Sequence, residues 1–169
     1  QTMSAWGRVD ILVNNAGILR DKSFSKMALE DFHAVMDVHL FGAVHCTKAV
    51  WEIMRAQQYG RIVMTTSSSG LYGNFGQSNY GAAKMAVVGL MNTLVLEGEK
   101  YGIRVNALAS GPVLPPDDHP QESIQRAANR TLLKRWGAPT DAANAVRYLI
   151  EAEYATGAVL VVDGGEQLL

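Results

Sequence analysis

The sequence predicts an α/β protein whose parallel β-sheet is covered by helices on both faces. Four short apolar segments rich in β-branched residues alternate with longer segments in which apolar residues recur at helical spacing. Strands that alternate with helices are joined by crossovers, and crossovers produce parallel pairing. The 169 residues form a single domain in this interpretation, because no internal repeat or low-complexity segment divides them.

The four predicted strands end in small or hydroxyl-bearing residues. The segments are residues 9–17, 60–68, 102–110 and 157–165, and the first closes with the letters NNAG. Ligands of parallel sheets bind beyond the carboxyl ends of the strands. Residues 14–17, 65–69 and 110–113 therefore predict a cleft at one edge of the sheet.

The predicted helices span residues 28–58, with a bend near Gly42, then residues 78–100, and residues 139–151, where Pro139 suits the first turn. A proline-rich loop, residues 111–123, precedes a short further helix. The two long helices carry apolar residues on more than one face, which indicates burial on several sides. The residues that suggest this are Trp51, Met54, Met91, Leu94 and Leu96.

Composition argues against several classes of partner. The net charge is −1 and no apolar run approaches the roughly 20 residues of a membrane helix, so we expect neither a nucleic-acid nor a membrane partner. Cys46 is the only cysteine, which excludes an intrachain disulfide and fits a reducing compartment. We therefore expect a cytoplasmic protein that acts on a small-molecule substrate.

Ser67, Tyr80 and Lys84 form the pattern with the clearest chemistry. Tyr80 and Lys84 lie one helical turn apart, and the glycine-rich segment between Ser67 and Tyr80 suits a loop that folds back. An ammonium near a phenol favours phenolate, so such a Tyr can exchange a proton with a carbonyl oxygen. The Ser hydroxyl can hydrogen-bond the same oxygen. The trio suits carbonyl–alcohol interconversion, with hydride from a nicotinamide cofactor.

Each of these patterns also has a plain structural interpretation. A Tyr and a Lys four residues apart occur in many helices by chance, and residues 14–17 alone make an ordinary strand-to-loop turn. Taken singly, both patterns favour the structural interpretation over the catalytic one.

Taken together, the NNAG segment, Ser67 and the YGAAK segment resemble the short-chain dehydrogenase/reductase family, over residues 9–165. The resemblance implies a doubly wound, Rossmann-like parallel sheet and NAD- or NADP-dependent oxidoreduction, with the long helices in a homodimer or homotetramer. The segment GRIVMTTSSSGLYGNFGQSNYGAAK is similar to (3R)-hydroxyacyl-CoA dehydrogenases, whereas the tail is similar to pteridine and ketoacyl reductases. The implied substrate is a 3-oxoacyl or 3-hydroxyacyl thioester, and the alternative is a pterin or another small ketone.

The resemblance also assigns roles to residues. Tyr80 would be the catalytic acid–base, Lys84 would lower its pKa and hold the nicotinamide ribose, and Ser67 would orient the substrate carbonyl. His39 stands where the family usually has an Asn that completes a proton relay. The implied cofactor contacts are Asn15, Ala16 and Gly17 on the adenosine side, Gly111, Pro112 and Val113 on the nicotinamide side, and Tyr80 and Lys84. No metal is implied.

Two further departures from the family pattern bear on these expectations. Ser110 stands where the family commonly has Pro. The family's glycine-rich turn and its NAD- or NADP-selecting strand precede the part that this chain resembles, so we expect the C-terminal two-thirds of the domain with an exposed apolar sheet edge. A non-catalytic remnant that self-associates is the alternative from another functional class.

Overall fold

The fold is a four-stranded parallel sheet between helices, described in a computed structural model for residues 1–115 and 120–169. The strands pair in the order β1-β2-β3-β4, and every pairing is parallel. They are β1 (Ile11–Asn14), β2 (Gly60–Ser67), β3 (Ile103–Ser110) and β4 (Val159–Val162). This confirms the predicted α/β class. Residues 116–119 of the predicted proline-rich loop lie outside the described residues.

Seven α-helices connect and flank the described strands. They are α1 (Thr2–Trp6), α2 (Leu29–Met36), α3 (Gly42–Gln57), α4 (Ser68–Tyr72), α5 (Ser78–Gly98), α6 (Gln121–Asn129) and α7 (Pro139–Glu151). Short 3₁₀ turns occupy Phe24–Lys26, Glu99–Tyr101 and Glu166–Leu168. The predicted helices over residues 78–100 and 139–151 are confirmed, with the first ending in a 3₁₀ turn.

Both faces of the sheet are covered, as the alternation of strands and helices predicted. Side chains on one face of β2 and β3, among them Ile62, Met64 and Val105, pack with residues of α3 and α5. On the opposite face, Val63 and Leu108 pack with Ala145 and Leu149 of α7. Consecutive strand residues point to opposite faces, so neighbours such as Val63 and Met64 enter different cores.

The bend expected near Gly42 is a π-helical turn at Asp37–Phe41, which joins α2 to α3. A π turn inserts one extra residue into the helical ladder, and such insertions bend helices and frequently mark functional sites. The turn contains His39, which is buried. The irregularity therefore begins five residues before the glycine that suggested it.

The segment between Ser67 and Tyr80 differs from its prediction as a loop. Its first part is the short helix α4, and the Ser67 hydroxyl caps this helix by accepting a hydrogen bond from the Ser69 amide at 3.2 Å. A capping Ser satisfies an amide that the first helical turn leaves without a partner. Gly73 then ends α4, and the loop runs to Gln77.

Strand β1 forms the outer edge of the described sheet next to β2. Its residues Ile11 and Val13 are 47% and 39% exposed, so the expected apolar edge is present. No helix in the described part of the chain is both long and apolar enough to cross a bilayer.

The side chains that suggested self-association occupy two different environments. Trp51, Met54 and Met91 are buried in the core of the single chain, so they cannot support an interface argument. Leu96 is exposed, and Leu94 is partly buried. Periodicity alone could not separate these groups, because α5 packs on α2, on α4 and on the sheet at once. Self-association stays a prediction.

Candidate active site

Lys84 is a buried cation held at the carboxyl end of β2. Its ammonium donates a hydrogen bond to the Thr65 carbonyl at 2.6 Å, and the residue is 4% exposed. The Thr66 hydroxyl donates to the Lys84 carbonyl at 2.7 Å. Both the backbone and the side chain of Lys84 therefore connect α5 to β2. Burial disfavours the charged form and lowers the pKa of Lys84 to about 8.

Tyr80 lies one helical turn before Lys84 and is half-buried. The Lys84 ammonium is 5.5 Å from the centre of the Tyr80 ring. Burial raises the pKa of the Tyr80 phenol, the Ser67 hydroxyl lowers it, and the charge of Asp21 raises it. The net direction is upward, opposite to the effect expected from Lys84, because desolvation of the phenolate outweighs the other influences.

Ser67 is the last residue of β2, and its hydroxyl has two described partners. It accepts from the Ser69 amide and donates weakly to the Ser110 carbonyl at 3.4 Å. Ser67 and Ser110 are register partners at the ends of β2 and β3. The hydroxyl can exchange its long bond to Ser110 for a better acceptor, such as a carbonyl oxygen of a ligand.

Asn79 positions Tyr80 and was missed by the sequence analysis. Its side chain is fully buried, donates to the Arg20 carbonyl at 3.0 Å and accepts from the Tyr80 amide at 2.7 Å. These bonds tie the first turn of α5 to the loop that follows β1. The available signal was an amide residue in the first turn of a helix, where side chains satisfy free amide groups.

His39 lies beside Tyr80, with ring centres 5.1 Å apart in an edge-to-face arrangement. Its Nε2 is 2.9 Å from the Ile18 carbonyl oxygen and 3.1 Å from the Ile18 amide nitrogen, so the tautomer decides which bond forms. Burial lowers the pKa of His39, the Ile18 backbone raises it, and the charge of Lys84 lowers it. Its Nδ1 is buried without a partner among the described residues. A relay role stays a prediction.

Five of the eight expected cofactor contacts line two different cavities. Asn15 and Ala16 line a cavity of about 120 Å³ together with His39, Cys46 and Lys84. Pro112 and Val113 line another, of about 230 Å³, with residues that include Asp163. Lys84 and His39 therefore share a cavity with Asn15 and Ala16, and neither lines the cavity at Pro112 and Val113.

Two of the expected cofactor glycines are required by packing. A Cβ added to Gly17 would lie 2.5 Å from His39 Cε1, and one added to Gly111 would lie 2.7 Å from Asp163 Cα. Such distances are too short for carbon atoms in van der Waals contact.

Among the described residues, no group of three or more His, Cys, Asp or Glu could hold a metal ion.

A family model described as enoyl-(acyl carrier protein) reductase matches residues 1–167. The chain is 46% identical over 165 residues, 96% of its length, to a putative short-chain type dehydrogenase/reductase of Mycobacterium tuberculosis, of which it covers 54%. It is 40% identical over 169 residues, 98% of its length, to the 3-oxoacyl-(acyl-carrier-protein) reductase of Thermotoga maritima, covering 69% of that protein.

A third relative is the peroxisomal multifunctional enzyme type 2 of Mus musculus, which is 53% identical over 107 residues. That match covers 63% of this chain and 15% of the mouse protein. The chain spans about half the length of the Mycobacterium relative.

Replacing Gly17 by Ala tests the packing of His39. We expect Gly17→Ala to lower the free energy of unfolding by about 1–3 kcal/mol, because the new methyl group overpacks a buried ring. The control is Gly89→Ala in α5, where an added Cβ meets nothing within 4 Å. Urea unfolding monitored by circular dichroism measures both. The loss should largely disappear in a His39→Ala background, and equal unfolding free energies for wild type and Gly17→Ala would contradict the packing.

Proposed function

The chain belongs to the short-chain dehydrogenase/reductase family, and we propose from this that it interconverts a carbonyl and a secondary alcohol with NAD or NADP. The observation that carries the proposal is the meeting of Ser67, Tyr80 and Lys84 at the carboxyl end of β2. Lys84 is hydrogen-bonded to that strand, and its ammonium lies 5.5 Å from the Tyr80 ring. The burial of Lys84 and its hydrogen bond to β2 support the catalytic interpretation over a chance Tyr–Lys spacing.

The proton chemistry follows from the environment of Tyr80. Because burial raises its pKa, the phenol keeps its proton through neutral pH and can donate it to a carbonyl oxygen. The Ser67 hydroxyl donates to the same oxygen as negative charge develops there. Lys84 is charged below about pH 8 and stabilises the phenolate that remains. In the opposite direction, the phenolate takes the proton from an alcohol.

The residues present fit a nicotinamide cofactor. The Lys84 ammonium has three N–H donors, and the one hydrogen bond described for it goes to Thr65, which leaves donors for ribose hydroxyls. When bound, a nicotinamide supplies or accepts the hydride that protein side chains cannot carry. Asn15, Ala16, Pro112 and Val113 would form the walls on its two sides.

We propose a 3-oxoacyl or 3-hydroxyacyl thioester as the substrate. Two findings support this class: the Thermotoga protein is named a 3-oxoacyl-(acyl-carrier-protein) reductase, and the description of the matching family model also names a reductase of an acyl carrier protein. A pterin or another small ketone has no comparable support among the relatives described above. A cytoplasmic location stays our prediction, for which the unpaired Cys46 is the supporting feature.

Replacing Tyr80 by Phe tests the proposed acid–base role. We expect Tyr80→Phe in the full-length protein to lower kcat about 10²–10⁴-fold, the usual contribution of a positioned acid–base group. Cofactor affinity should change little, because the ring remains. The measurement is reduction of acetoacetyl-CoA with NADH and with NADPH, followed by the loss of cofactor absorbance, alongside calorimetric cofactor titration.

The matched control is Tyr154→Phe, which removes a fully exposed hydroxyl and should leave kcat unchanged. A loss under about threefold in Tyr80→Phe would contradict the acid–base role. Absence of both turnover and cofactor binding in the wild-type protein would favour the non-catalytic alternative.

We also propose that the protein self-associates through α3 and α5. A groove of about 120 Å³ runs between these helices, lined by residues that include Val44, Leu90 and Leu94. A second copy of the same helices would cover its apolar walls.

The proposal predicts a dimer or tetramer in light scattering at micromolar concentration. Leu90→Glu should dissociate it, because the charge would be buried in the interface. The control is Leu96→Glu, since Leu96 is exposed and lies outside the groove. A monomeric wild-type protein would refute the proposal.

A further inference from the structure

The segment that follows β4 is a tightly fixed turn, and we call residues 163–168 the post-β4 turn. Asp163 is buried, and its carboxylate accepts hydrogen bonds from the Gly165 amide at 2.8 Å and the Gln167 amide at 3.0 Å. Gly111, which follows β3, packs directly against the Asp163 backbone. The turn therefore has a defined position relative to the ends of β3 and β4.

Glu166 extends from this turn and contacts two distant parts of the chain. One carboxylate oxygen accepts a hydrogen bond from the Ser68 hydroxyl at 3.2 Å. The other forms an ion pair with the Arg130 guanidinium at 3.0 Å. The Glu166 side chain is 17% exposed, whereas the Arg130 side chain is 55% exposed, so the carboxylate is the shielded partner of this pair.

The contact between Glu166 and Ser68 lies next to Ser67, whose hydroxyl has the proposed catalytic role. Ser68 is the first residue of α4, and Ser67 is the cap of that helix. The same turn also contacts the far end of α4, because the Tyr72 hydroxyl donates to the Gln167 side chain. The post-β4 turn thus holds both ends of the helix whose cap is Ser67.

The contact with Arg130 reaches the end of α6. Arg130 follows the last residue of α6, and α6 follows the segment that carries Pro112 and Val113. The next residues are also attached to the turn, because the Leu133 amide donates to the Gly164 carbonyl at 3.2 Å. One carboxylate therefore links the Ser67 side of the cleft to the end of α6.

We propose that Glu166 is a positioning residue that sets the location of the Ser67 hydroxyl through Ser68 and couples it to α6 through Arg130. This role rests on the proposed oxidoreductase function, because that function gives the Ser67 hydroxyl a substrate carbonyl to orient. A displacement near 1 Å of a group that stabilises a transition state can lower the rate about 100-fold. The carboxylate acts through Ser68 and Arg130, which distinguishes it from the catalytic residues.

Steady-state kinetics of the full-length protein test the positioning role. With acetoacetyl-CoA, Glu166→Ala should lower kcat about 10- to 100-fold, with KM changed less than about threefold. Glu166→Gln keeps an acceptor for Ser68 and should recover most of kcat. Ser68→Ala should resemble Glu166→Ala, and the double variant should be no slower than either single one. The control is Glu122→Gln, whose side chain pairs with Arg126 and is 86% exposed.

Hydrogen–deuterium exchange provides a readout that does not require turnover. Glu166→Ala should raise exchange in residues 67–72 and in residues 121–135 together, whereas Ser68→Ala should raise it in residues 67–72 alone. If the wild-type protein reduces no acyl thioester but shows this pattern, the proposed function fails and the coupling stands. Unchanged exchange in both segments, or an equal fall of kcat in Glu166→Ala and Glu122→Gln, would overturn the proposal.

Discussion

A charged lysine inside the fold is the constraint on which the site depends. Lys84 is almost fully buried, and its ammonium is compensated by the Thr65 carbonyl at 2.6 Å. A buried cation is costly unless polar groups replace the water that it loses. The end of β2 meets this requirement, because the Thr65 carbonyl accepts from the ammonium and the Thr66 hydroxyl donates to the Lys84 carbonyl.

The same strand end explains why the other site residues converge. Thr66 holds the Lys84 backbone, Ser67 caps α4, and the register between β2 and β3 places Ser110 beside Ser67. Asn79 completes the arrangement by tying the start of α5 to the loop after β1. The geometry is therefore built on a rigid strand rather than on loops, which suits a site that orients a proton donor.

The fold class and the proposed trio of Ser67, Tyr80 and Lys84 could be predicted from the sequence, because apolar periodicity and motif spacing are local properties. Four features could not be predicted in this way. The π turn around His39 and the helix after Ser67 depend on backbone packing that no single residue signals. The upward shift in the pKa of Tyr80 depends on burial, which outweighs the neighbouring ammonium. Glu166 reaches Ser68 across 98 positions of sequence, a separation that no local pattern reports.

The proposed site requires Lys84 to be a desolvated cation in the folded protein. The unfolded chain holds its proton to about pH 10.5 and the folded chain to about pH 8, so between these values the folded protein binds fewer protons. Stability therefore rises with pH across this window, and the burial penalty is fully present below it. An NMR titration of the Lys84 side chain, assigned with Lys84→Met, measures the pKa directly. A midpoint near 8 is the expected result, and a midpoint near 10.5 would contradict the desolvation of the Lys84 ammonium.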